Sequence, residues 1–222
     1  MWKRIVFCGL VCAGLLVGCK QMETKKVYDP QTNKLLEEYQ VRKKNGQRNG
    51  AAKKYDGAGN LLEESVYKDD QLHGVRKIYF ASGQVMVEEN YSFDNFEGAY
   101  KTFFENGKVE SEGVYHNNSM TGIWQWYYAN GQLKEQVNFE NNAENGPFTE
   151  YFENGKLAWE GTYKDGDHEH GLLKKYDESG ALIRILMCEM GVCHTKWTTD
   201  SSATPPPHLL APSVPSGSGG GK

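Results

Sequence analysis

The apolar residues of this chain fall into columns. Gly50, Gly74, Gly98, Gly122, Gly146 and Gly171 open successive units, spaced by 24 residues and, at the last step, by 25. Five positions after each opening glycine stands an aromatic residue: Tyr55, Tyr79, Phe103, Tyr127, Tyr151 and Tyr176. Eleven positions after it stands an aliphatic one: Leu61, Val85, Val109, Leu133, Leu157 and Leu182. Seventeen positions after it the residue is aromatic again in five units, and Cys188 takes that place in the sixth. A weaker copy precedes them in YDPQTNKLLEEY, residues 28–39. A fixed period of this length marks a repeat architecture in which each unit packs on its neighbours.

Each unit reads as a β-hairpin. A second glycine lies nine positions after the first, often in Asn-Gly, as in the pentapeptide FENGK at 104–108 and again at 152–156. Asn-Gly between two β-forming runs predicts a two-residue type I′ turn, which needs positive φ at both positions. With that turn at offsets 8 and 9 from the opening glycine, residues whose offsets sum to 17 face each other. Lys53 then opposes Glu64, Lys77 opposes Glu88, Lys101 opposes Glu112, Gln125 opposes Gln136 and Thr149 opposes Glu160. Opposite charges across a ladder stabilise it by roughly 0.2–1 kcal/mol. Where the lysine is replaced by Gln125, its partner is also a glutamine, which supports the register.

The same register sorts the faces. Offsets 2, 6, 11 and 17 share one side, which in the central units holds Tyr100, Phe104, Val109 and Tyr115, then Trp124, Tyr128, Leu133 and Phe139. The lysine–glutamate pairs and the Tyr column at offset 5 lie on the other side. Strands about 4.8 Å apart let consecutive hairpins join side by side. The expected fold is all-β: an elongated, single-layer antiparallel sheet of stacked hairpins.

Composition adds a tail and a leader. Five of the seven prolines lie in 205–215. Residues 198–222 are rich in Ser, Thr, Pro and Gly and read as a disordered tail, because they lack the apolar side chains to bury a core. The chain opens with basic MWKR, then the apolar run IVFCGLVCAGLLVG, and reaches Cys19 through LVGC. That run is too short for a comfortable membrane span. The organisation expected is therefore a signal peptide at 1–18, an anchor and linker at 19–27, a repeat domain at 28–197 and a tail at 198–222. The formal net charge is −4, and loss of 1–18 removes Lys3 and Arg4 and leaves the chain more acidic. No basic face suits nucleic acid, and attraction to anionic lipid is not expected either.

Two family resemblances follow from these residues. The leader resembles that of a bacterial lipoprotein precursor, with LVGC as its lipobox. The resemblance implies cleavage before Cys19 and acyl chains on that residue. Lys20, where an Asp would favour inner-membrane retention in Gram-negative lipoproteins, implies the outer membrane in such an organism. The units GIWQWYYANGQLKEQVNF and GPFTEYFENGKLAWEGTY resemble MORN-variant repeats, found in bacterial proteins often grouped under the YwqK-type antitoxin name. That resemblance covers about 28–188 and implies an all-β scaffold for protein or lipid association, with no catalytic residue to carry over.

The chemistry that remains is sparse. Cys188 and Cys193 flank a Gly-containing turn and are candidates for a disulfide across the last hairpin in an oxidising compartment, the alternatives being two reduced thiols or a metal pair. Asp165, Asp167, His168 and His170 cluster in KDGDHEHG, the one junction with an extra residue. They are the metal-ligand candidates, but the rest of an EF-hand loop is missing and the stretch reads as a solvated turn, so no metal or other cofactor is expected. The glutamates at 64, 88, 112 and 160 repeat with lysine or threonine opposite and read as structure, so no catalytic residue is assigned. Trp124, Trp126 and Trp159 exceed in bulk what neighbouring units use and are the candidate binding surface. The function expected is a membrane-anchored, extracytoplasmic and non-catalytic module with a protein or glycan partner. The alternatives are an antitoxin or immunity-like protein that sequesters a toxin, and a cell-wall glycan-active enzyme. The last would need a pocket with convergent carboxylates.

Overall fold

The computed structural model describes residues 21–200 and 204–210. Cys19, the signal segment and the closing SGSGGGK lie outside the described residues. Seventeen strands among the described residues form one antiparallel sheet of hairpins joined side by side in chain order. The first hairpin is β1 (Met22–Tyr28) with β2 (Leu35–Arg42), followed by β3 (Arg48–Tyr55) with β4 (Leu61–Lys68). In the third, the short β5 (Gln71–Leu72) pairs back on β4, and β6 (Gly74–Tyr79) pairs with β7 (Val85–Ser92). Then come β8 (Asn95–Phe103) with β9 (Val109–His116), β10 (Ser119–Tyr127) with β11 (Leu133–Glu140), and β12 (Ala143–Tyr151) with β13 (Leu157–Lys164). The array closes with the short β14 (His168–Glu169) pairing back on β13, β15 (Gly171–Tyr176) against β16 (Leu182–Glu189), and a last strand β17 (Val192–Thr198).

Both ends of the expected domain need adjustment. The sheet starts at Met22, inside the segment read as linker, because Met22–Tyr28 pairs along the whole of β2. At the other end, residues 204–210 carry a 3₁₀ turn, Pro207–Leu209, and Leu209 is only 7% exposed. A tail rich in proline can still dock when it carries an apolar side chain to bury, and HLL supplies one.

The register expected from the offsets holds: Gly98 faces Tyr115, Tyr100 faces Gly113 and Lys101 faces Glu112. The turn that was to set it is different. At FENGK the Gly107 N–H bonds to the Phe104 carbonyl at 2.8 Å and the Phe104 N–H bonds to the Lys108 carbonyl at 2.9 Å. Gly107 has φ of 81°, while Asn106 is not left-handed. This is a three-residue loop, a type I turn followed by a left-handed glycine, and it leaves a bulge between Thr102 and Phe103. The bulge absorbs the extra loop residue, so the pairs below it keep the register that a two-residue turn would give.

The two-residue turns with positive φ at both positions stand at the opposite edge, between units. They are Asp69-Asp70, Phe93-Asp94, Asn117-Asn118, Asn141-Asn142, Asp165-Gly166 and Met190-Gly191. Asn and Asp tolerate this conformation better than other side-chain-bearing residues. Their second residue also ties each turn to the hairpin before it. The Asn118 N–H bonds to the Phe96 carbonyl at 3.0 Å, and the Phe96 N–H bonds back to Asn118 Oδ1 at 2.7 Å. Asp70 with Arg48, Asp94 with Leu72 and Asn142 with Met120 repeat the arrangement.

At the other edge the asparagine of NGK does the stitching. Asn106 Nδ2 donates to the Ala129 carbonyl at 2.9 Å, Asn130 Nδ2 to Glu153 at 3.1 Å and Asn154 Nδ2 to Glu178 at 3.0 Å. Lys108 and Lys156 donate to the carbonyls of Asn130 and Ser179 in the next turn. The repeated pentapeptide is therefore a turn and a clasp to the following unit.

Two substitutions test this account by urea denaturation. Gly131, at φ of 89°, should tolerate alanine poorly, with a loss of about 1–2 kcal/mol. At Gly113 an added methyl would stand 2.1 Å from the Trp124 ring, so Gly113→Ala should cost about 1–3 kcal/mol and shift the tryptophan emission. Unchanged midpoints would contradict the assigned turn at the first position and the packing at the second.

Candidate functional site

The two faces of the sheet carry different chemistry. On one, a row of directly opposed residues alternates in sign: Lys26–Glu38–Lys53–Glu64, continued by Lys77–Glu88–Lys101–Glu112. Sequence spacing supplied the pairs inside each hairpin. The structure joins them into one ladder, because the lysine of each unit also lies opposite the glutamate of the unit before. The ion pairs span 2.8–3.1 Å at Lys53–Glu64, Lys77–Glu88 and Lys101–Glu112. The Tyr column belongs to this ladder. Tyr79 donates to Glu64 at 2.6 Å, Tyr127 to Glu112 at 2.8 Å and Tyr176 to Glu160 at 2.8 Å, each reaching back one unit. Hydrogen bonds from Lys53 and Tyr79 hold the Glu64 carboxyl below its usual range, and Lys101 and Tyr127 do the same for Glu112. Burial, then the bond to Glu112, pushes the Tyr127 hydroxyl up to about 12. These glutamates are committed to structure.

The opposite face is aromatic in the central units. Large and small residues alternate across facing positions, so that a ring can cover a glycine beside it. Trp124 covers Gly113, and Phe148 covers Gly161 and stacks on Tyr163 at 4.2 Å between centroids. Val137, Phe148, Leu173 and Cys188 form the buried core, with Trp126, Phe139, Trp159, Tyr163, Leu186 and Cys193 packed against it. Cys188 and Cys193 form a disulfide between β16 and β17, at the end of that core.

The three tryptophans divide. Trp124 is 3% exposed, so its bulk fills the core and it offers no surface to a ligand. Its excess size is matched by glycine at 113, a compensation that a single column does not reveal. Trp126 and Trp159 are partly exposed and share one row. Trp126 faces Glu135, Glu135 faces Glu150, Glu150 faces Trp159 and Trp159 faces Lys175. Sequence reasoning did not reach Glu135 or Glu150. The signal lay in glutamates at offset 13 of one unit and offset 4 of the next, which only neighbouring hairpins bring together.

This pair is electrostatically distinct from the ladder on the other face. Burial raises the Glu135 carboxyl above its usual range, and the charges of Glu150 and Glu144 raise it further. Burial likewise raises Glu150, against a smaller opposing pull from Lys134. Beside them, burial raises the Tyr163 hydroxyl, with Glu144, Glu150, Glu135 and Glu169 adding to the effect. The metal-ligand candidates do not join this site. Asp165 and Gly166 form the turn, His168 Nδ1 lies 3.2 Å from the Asp165 carbonyl, and the His170 N–H bonds to the Thr162 carbonyl at 2.8 Å. Among the described residues, no three His, Cys, Asp or Glu converge as metal ligands.

The shifts fix a pH dependence. A carboxyl whose folded pKa is raised favours the protonated form, so its cost to stability is present above the folded pKa and disappears as the pH falls through it. Glu150→Gln should therefore raise the melting temperature near neutral pH, and the gain should vanish by about pH 4. Glu112→Gln should do the reverse, losing stability at neutral pH and matching the parent in acid. Thermal melts across pH measure both, and identical profiles for the two variants would refute the distinction between the faces.

Comparison with known proteins fits the hairpin array. Residues 48–69, 72–92, 96–117, 120–141 and 144–165 each match the MORN repeat variant. No curated protein matches the chain. Among solved structures it is similar to the crystal structure of TcdB2-TccC3, at 11% identity over 79% of this chain and 13% of that one, with a TM-score of 0.25. It is also similar to the Photorhabdus luminescens Tc holotoxin pore with the TccC3-D651A mutation, at 12% identity over 75% of this chain and 12% of that one, with a TM-score of 0.24. The chain thus spans a small part of those proteins, and likeness at that level carries no argument about its function. Across residues 48–165 the chain belongs to the MORN repeat variant family.

Proposed function

We propose that this protein is a non-catalytic binding and scaffold module, held at a bacterial envelope membrane by a lipid on Cys19. The observation that carries the binding reading is the open aromatic face. All described strands belong to one sheet, and among the described residues no second layer of strands or helices covers it. Partly exposed Trp126 and Trp159 stand there with carboxylates between them, a combination suited to anchoring a partner. Catalysis on glycans is not favoured. It requires two carboxyls flanking a bound bond in a water-excluding site, and Glu135 and Glu150 stand side by side on one sheet face, only partly buried.

The membrane reading rests on LVGC at 16–19. Multiple acyl chains hold a protein stably where one does not. Only two residues separate Cys19 from β1 (Met22–Tyr28), so the anchor would place the first hairpin close to the bilayer. Cell fractionation tests the anchor, and pull-down from the membrane fraction tests the partner. The parent protein should sediment with membranes and Cys19→Ala should become soluble. Retention of that variant in the membrane would overturn the lipid reading. A parent protein that captures no partner under cross-linking would count against the binding reading.

A further inference from the structure

The aromatic face answers its own acidic residues differently at its two ends. Near the amino terminus the row begins Glu37–Lys54–Glu63, with opposite charges facing each other. Arg76 bridges Glu63 at 2.8 Å and Glu89 at 3.0 Å. Arg48 holds Glu37 through two hydrogen bonds, at 2.8 and 3.1 Å, and its guanidinium lies 4.1 Å from the centroid of Tyr39. Glu37, Glu63 and Glu89 thus each have a guanidinium, Glu23 is held by Lys25, and Arg48 also rests on an aromatic ring.

Farther along the same row the acids and rings recur without a bonded cation, and Lys134 acts on them only at a distance. Glu135 and Glu150 oppose each other directly, with Trp126 and Trp159 on either side. Among the described residues, neither carboxylate has a hydrogen bond or an ion pair. Lys175 is turned to the Trp159 ring, 4.6 Å from its centroid, and the Lys134 ammonium lies 6.0 Å from the Tyr128 ring. Like charges placed directly opposite destabilise a sheet, and partial burial adds to the cost.

We propose that the Glu135–Glu150 pair is the docking point for an arginine side chain of a partner protein, its guanidinium bridging the two carboxylates beside the Trp126 indole. The inference rests on the binding-module reading and names the chemistry of the partner. Charge complementarity carries it. A planar guanidinium donates to two carboxylates at once, is less strongly hydrated than an ammonium and lies well against an indole. Arg76, on the strand between Glu63 and Glu89, shows one guanidinium serving two carboxylates on this face. A neutral sugar would stack on the rings but leave the opposed charges uncompensated.

The test uses the full chain and a blocked Gly-Arg-Gly peptide, followed by tryptophan fluorescence and calorimetry. The arginine peptide should bind saturably, with roughly tenfold or greater weakening for its neutral citrulline counterpart and for the Glu135→Gln/Glu150→Gln variant. Binding should also weaken with added salt. Glu105→Gln, in an exposed turn, should bind like the parent, and circular dichroism should show both variants folded. Equal binding of the citrulline peptide, undiminished binding by the double variant, or no saturable binding would overturn the arginine site. Binding of a neutral chitooligosaccharide in its place would overturn it too, while leaving the binding-module reading intact. That broader reading fails separately, through the absence of any captured partner.

Discussion

Each inter-unit turn presents a residue whose backbone N–H binds the hairpin before it, and in four turns its Asn or Asp side chain accepts a bond from that hairpin as well. The register of the whole sheet follows from this contact. An isolated hairpin is marginal in water, so a unit of this size is stable only when its neighbours complete it. Asn118 and Phe96 exchange two such bonds at one edge, and Asn106 with Lys108 reaches the following turn at the other. With both edges fixed, a strand cannot slip by one residue, and such a slip would exchange the two faces entirely.

Fixed register turns columns in the sequence into rows in space. On one face the rows alternate lysine and glutamate, reinforced by tyrosine hydroxyls from the next unit. These pairs are partly exposed, and each contributes little alone. On the other face large rings lie over small residues, as Trp124 does over Gly113, so a single layer can still bury side chains almost completely. The disulfide joins β16 to β17, the last strand of the sheet among the described residues.

Binding is the function that such a body serves best. A uniform array cannot easily build a cleft, but it presents an extended face whose chemistry is set unit by unit. Function should then lie where one unit departs from the others. The Glu135–Glu150 pair is such a departure, since in the first units Glu37, Glu63 and Glu89 on that face meet Arg48, Lys54 or Arg76.

The sequence by itself determined the period, the hairpins, the pairing of offsets and the assignment of residues to faces. These follow from local rules: side chains alternate along a strand, and Gly and Asn mark turns. It placed the type I′ turns at the wrong edge, because Asn-Gly also suits a type I turn closed by a left-handed glycine. It also offered Trp124 as a surface residue, because a column reports bulk and not what lies beneath. Tertiary structure alone decided which unit's glutamate meets which, and so assembled the lysine–glutamate ladder and the opposed acids of the aromatic face. Those contacts depend on how one hairpin is offset against the next, and that offset is set by hydrogen bonds between turns more than twenty residues apart.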